Sequence, residues 1–96
     1  MKHLLIAEND VQKAFANHLR KQREQAKLSR EELAERSTVP AATIKKFELT
    51  GQISFRQLLL LWQTLDDLKR LYALTQLEAE RFKVPTSIEE VLKDGL

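Results

Sequence analysis

The chain contains no cysteine. That excludes a disulfide framework, a zinc–cysteine centre and a thiol nucleophile, and it fits a reducing compartment. Glycine and proline are scarce, two of each in 96 residues, so few turns can demand a positive φ and few helices need be broken. Long apolar runs are missing as well. Leu4-Leu5-Ile6-Ala7 is shorter than a secretory signal and lacks a small-residue cleavage site, and no stretch reaches the length of a membrane span. The expected location is the cytoplasm, with no membrane partner. Metal-ligand spacings, a glycine-rich phosphate loop and paired catalytic carboxylates are also lacking. The only histidines are His3 and His18, and His18 stands among basic residues. The expectation is a protein that is not an enzyme and uses no cofactor and no metal.

What remains is a helix-forming composition. Leucine, lysine, glutamate, glutamine and arginine dominate and β-branched residues are few, which is an all-α signature. The length suits one domain with a modest core. Polar caps mark the helix starts. Asn9 or Asp10 precedes an amphipathic run with Val11, Phe15 and Leu19. Ser29 and Glu32 form a capping box, and Ser54 with Gln57, Thr75 with Glu78 and Ser87 with Glu90 repeat it. Pro40 fits the first turn of a helix, Gly51 a helix stop, and Pro85 ends the helix holding Arg81 and Phe82. Helices are expected at about 10–25, 30–37, 41–49, 55–65, 67–74, 76–83 and 88–93. Residues 2–7 read as a strand paired with another protomer or as an arm. The organisation is an N-terminal arm over 1–9, a domain over 10–75 and a helical C-terminal extension over 76–96.

The net charge is only +2, but it is unevenly spread. From Lys13 to Arg56 there are ten lysines and arginines against five acids, whereas both flanks lean acidic. A basic segment attracts a phosphate backbone irrespective of base sequence. The same segment contains Leu28 to Gly51, which reads as two short helices joined by a tight turn. Leu33 and Ala34 face inward on the first, Val39 fills the turn, and Ile44 and Phe47 form the buried face of the second. Ala41, Ala42, Lys45 and Lys46 are left on the outer face, an arrangement suited to a DNA major groove.

Leu28-Ser29, Glu32-Leu33-Ala34, Val39, Thr43-Ile44 and Glu48 resemble the helix-turn-helix of the Cro/repressor (Xre) family, over about residues 15–66. The resemblance implies a five-helix, lambda-repressor-like domain that binds double-stranded DNA. Two departures stand out: Thr38 occupies the turn position usually held by glycine, and the loop Leu49-Thr50-Gly51-Gln52 is one residue longer than the common form. By the same resemblance Arg30 touches a phosphate and braces the recognition helix, Ala41 and Ala42 stand where bases are read with Pro40 beside them in the DNA-binding set, and Arg23 and Glu48 form a structural ion pair. Lys45 and Lys46 divide between a base and a phosphate, with Thr43, Gln52 and Ser54 as further phosphate donors. Alanine offers no hydrogen bond, so Ala41 and Ala42 can meet only a thymine methyl or avoid a clash.

Leu58 to Trp62, followed by Leu65, Leu68, Leu71 and Tyr72, is apolar on all sides, and a helix of that kind must be covered on all sides. The expected cover is a second copy of the chain, with Leu58, Leu61, Trp62, Leu65, Leu68, Leu71 and Tyr72 in a twofold interface and a palindromic operator to match. A self-contained core is the alternative. Phe47 to Ser54 followed by a leucine-rich helix is similar to antitoxins of the HipB type, which implies autoregulation of a toxin–antitoxin operon and a HipA-like kinase toxin as partner. The competing reading is a protein-interaction adaptor that no longer reads DNA.

Overall fold

The structure is a computed structural model, and it describes residues 5–81. Five helices follow in order: α1 Glu8–Gln25, α2 Arg30–Ser37, α3 Ala41–Thr50, α4 Phe55–Leu65 and α5 Leu68–Arg81. No strand occurs among the described residues, and Leu5 to Ala7 carry no regular structure. The arm's first four residues and the helix expected at 88–93 lie outside the described residues.

Local chemistry sets the helix ends. α1 starts two residues earlier than expected, because Ala7 is the cap residue and Asp10 reaches back to accept its N–H at 3.0 Å. α1 then closes in a Schellman arrangement: Lys27 N–H donates to Glu24 O and Leu28 N–H to Arg23 O, with Lys27 at φ 58°. At α2 the capping box is complete. Ser29 Oγ accepts from Glu32 N at 3.0 Å, and Glu32 Oε1 accepts from Ser29 N at 2.8 Å. The Ser29 backbone N–H, and after it the Ser29 side chain, hold the Glu32 carboxyl below its ordinary value. Thr38 ends α2 in the left-handed region at φ 66°, so the threonine accepts the strained geometry that glycine would take freely. The buried Ser37 accepts Val39 N–H on its hydroxyl at 3.1 Å and so fixes the turn. Pro40 stands at the cap of α3 rather than inside its first turn.

α1 packs on α3 and α4, and α2 packs on the same two helices. The core between them is Ala16, Leu19, Leu33, Val39, Ile44, Phe47, Leu61 and Trp62. Each large side chain buried there contributes roughly 1.5–3 kcal/mol. Trp62 is flanked by Phe15 and His18, with ring centroids at 5.5 and 5.0 Å.

This packing corrects the reading of the leucine-rich segment. Leu61 and Trp62, expected at a twofold interface, are 1% and 6% exposed within the single chain. They fill the chain's own core, because α1 and α2 already cover that side of α4. Leu58, Leu65, Leu68 and Leu71 are half-buried against the same core. Of the expected interface residues only Tyr72 is well exposed, and Leu74 and Leu77 accompany it on α5.

A second correction concerns Thr75. The expected break before residue 76 is absent, and α5 runs through it. The Thr75 hydroxyl donates to Tyr72 O at 2.7 Å instead of capping a new helix, and neither glycine nor proline interrupts this stretch. The break expected after residue 65 is present at Asp66–Asp67, where the Asp67 carboxylate accepts from Lys69 N at 2.9 Å and so caps α5.

Candidate nucleic-acid interface

Helix α3 has a buried side and an open side. Ile44 and Phe47 are each 1% exposed. Ala42, Lys45 and Lys46 are exposed, while Ala41 and Thr43 are half-buried. The amphipathic spacing therefore sends small and cationic groups outward, and Pro40 stands exposed at the tip.

One carboxylate anchors the far end of α3. Glu48 Oε2 accepts from Arg23 Nε at 2.7 Å, and Oε1 accepts from Arg23 NH2 at 3.0 Å and from Arg30 Nε at 2.9 Å. Arg23 NH1 also donates to Leu28 O at 2.9 Å. The cluster thus joins α1, the α1–α2 loop, α2 and α3. The Glu48 side chain is only 3% exposed. Burial works against its ionisation, but hydrogen bonds from the two guanidiniums outweigh burial and hold the carboxyl below its ordinary value. In return, the bond to Glu48 raises Arg23 further, against its own partial burial. Arg30, assigned by resemblance to a phosphate, is thereby fixed at the start of α2 beside the end of α3.

A groove of about 390 Å³ lies beside α3, lined by Ala42, Thr43, Lys46, Gln52, Ile53 and Gln57. It brings together four of the sequence-nominated residues, and it adds Gln57, which the sequence reading treated only as a cap partner. Lys45 stands exposed outside it. Ser54 has less to offer than expected: its hydroxyl accepts from Gln57 N and donates to Gln57 Oε1, both at 3.1 Å. Thr50 Oγ1 donates to Lys46 O at 2.7 Å and accepts Gln52 N–H at 3.1 Å, which fixes the longer loop. Gly51 in that loop is buried at φ 82°, and a Cβ added there would meet the backbone of Gln12 at 3.1 Å. Glycine is therefore required both for the turn and for the approach of α1.

The model of the helix-turn-helix domain family matches residues 14–82. The chain belongs to that family. No curated protein and no solved structure matches the chain. As a helix-turn-helix domain it has DNA as its expected partner, with α2 and α3 as the motif. Among the described residues no helix is long and apolar enough to cross a membrane.

Proposed function

We propose that the chain is a transcriptional repressor that binds a palindromic operator as a homodimer, with α3 in the major groove. The observation that carries this reading is the outward display of Lys45 and Lys46 on a helix anchored by the buried Glu48 cluster. A groove-reading helix must be both cationic outward and rigidly held, since a small misplacement loses base contacts. The two small residues at the start of α3 permit close approach and leave part of the specificity to DNA shape. Dimerisation draws support from α5, where Tyr72, Leu74 and Leu77 are 66%, 59% and 52% exposed. Leu74 and Leu77, three residues apart on one side of α5, are apolar surface a second copy would cover.

A narrower reading makes the protein the antitoxin of a type II toxin–antitoxin operon, bound to a HipA-like kinase toxin. It rests on the resemblance of Phe47 to Ser54 and the leucine-rich helix after it. The competing adaptor reading is favoured by one observation, the lack of any hydrogen-bonding group at Ala41 and Ala42.

The deciding experiment is binding to the DNA upstream of the protein's own operon, followed by fluorescence anisotropy and sedimentation. Specific binding by a dimer, lost in the Lys45→Glu/Lys46→Glu variant, is the expected result. Specific binding unchanged by that double substitution overturns the assigned recognition surface, and no DNA binding at all favours the adaptor.

A further inference from the structure

A second cleft, of about 400 Å³, lies between α1 and the C-terminal end of α3, and shares no lining residue with the groove beside α3 and α4. Lys13, Asn17, Arg20, Arg30, Glu48 and Gly51 are among its walls. Its polar groups come from three helices that the Glu48 cluster holds together.

The charge balance of this cleft is unusual for a surface that only packs. Three cations line it against a single carboxylate. That carboxylate, Glu48, is already satisfied by Arg23 and Arg30. Arg30 spends only its Nε on Glu48, and among the described residues no hydrogen bond engages its NH1 or NH2. Lys13 has no ion pair among the described residues. Arg20 NH2 donates to Asn17 Oδ1 at 2.9 Å, and its NH1 is 3.7 Å from the exposed Glu24 carboxylate. A loose, exposed pair of that kind is worth little and exchanges readily. The Asn17 amide N–H groups are left to donate. Two guanidinium forks, an ammonium and an amide converging on one concave site match the oxygens of a phosphate group.

We propose that this cleft binds a phosphate group, carried either by a free anion or by the DNA backbone beyond the segment that α3 reads. Lys13, Asn17 and Arg20 on α1 supply one wall, and Arg30 supplies the other. The free-anion case does not depend on base reading by α3, whereas the DNA-backbone case rests on the DNA-binding reading proposed above.

The test uses the full chain and the Lys13→Gln/Arg20→Gln variant, whose two altered side chains lie on the outer face of α1. Pyrophosphate is titrated while the backbone amide signals of Asn17 and Gly51 are followed by NMR. In parallel, the salt dependence of affinity for a random-sequence duplex is measured. If a free anion is the ligand, pyrophosphate gives saturable shifts at both amides that vanish in the variant, and the duplex salt slope stays as it was. If the DNA backbone is the ligand, the logarithmic salt slope falls by about 1 in the variant, the share of the one phosphate the cleft would hold. The Lys45→Glu/Lys46→Glu protein keeps its pyrophosphate response in the first case, which separates this site from the recognition surface. Absence of a saturable pyrophosphate shift together with an unchanged salt slope overturns the proposal.

Discussion

His18 Nε2 lies 2.9 Å from Asp66 Oδ2, across 48 positions of the chain. The pairing ties α1 to the α4–α5 junction. The same Oδ2 accepts from Gln22 at 2.8 Å and from Arg70 at 3.0 Å, Oδ1 accepts from Asp67 N at 2.7 Å, and the His18 ring stacks on Trp62. The Asp66 side chain is 6% exposed, so these partners replace water around a carboxylate. Asp66→Ala removes all of them at once. Because His18 and Arg70 can return to solvent, the expected cost is about 2 kcal/mol, or roughly 8–16 °C in Tm, read by thermal unfolding. A variant melting within two or three degrees of the parent, roughly the scatter of surface substitutions, sinks this account of the junction.

Acid should destabilise the protein through two carboxyls. Bonds to His18 hold Asp66 below its ordinary value of 3.8, and those to Arg23 and Arg30 hold Glu48 below 4.5 against the effect of burial. Each group binds fewer protons folded than unfolded, so its contribution is complete above those ordinary values and is lost as pH falls through the depressed ones. Urea unfolding from pH 7 to pH 3 should therefore show a plateau and then a decline below about pH 4.5. In Glu48→Gln the plateau drops by about 3–5 kcal/mol, since the buried charge cluster loses its anion, and the acid decline becomes shallower. An equally steep decline in the variant would remove Glu48 from the explanation.

Gly51→Ala should destabilise by about 2–3 kcal/mol, through the strain of an L-residue at positive φ and overpacking against α1. The φ of 82° and the 3.1 Å approach to Gln12 are the motivating observations. Denaturant titration reads the effect, and a neutral outcome would mean that α1 retreats without cost.

Thr38→Gly has the opposite sign. A β-branched residue at φ 66° is relieved by glycine, and the gain of about 1 kcal/mol survives the added entropy of the unfolded chain only in part. A rise of a few degrees in Tm is expected. A fall would show that the Thr38 methyl or hydroxyl stabilises the turn by more than its backbone strain costs.

The motif itself was legible because its determinants are local. The Ser29–Glu32 capping box, the Ile44–Phe47 spacing and the Gly51 stop each lie within a few residues of what they specify. Arg23 and Glu48 were paired through resemblance, and the structure places them 2.7 Å apart. The bond to Asp66 could not be read from His18, whose neighbours in sequence are basic and whose partner lies in a distant turn. The leucine-rich segment departs from its expected interface role for a related reason. Periodicity shows that a face must be covered, but not whether the cover comes from the same chain. Leu61 and Trp62 are covered by α1 and α2, while Tyr72, Leu74 and Leu77 on α5 are left open. Thr75 shows the limit of cap signatures, since the same hydroxyl that starts a helix elsewhere bonds back to Tyr72 here.

The contact between Gly51 and Gln12 also bears on where the working unit begins. The family match starts at residue 14, yet the backbone that the loop after α3 rests against belongs to Gln12. A recombinant fragment trimmed to the matched residues would cut away the first turns of α1 and their Asp10 cap. It would keep every residue of the α3 recognition surface, yet lose Lys13 of the α1 cleft and the surface that holds the end of α3 in register.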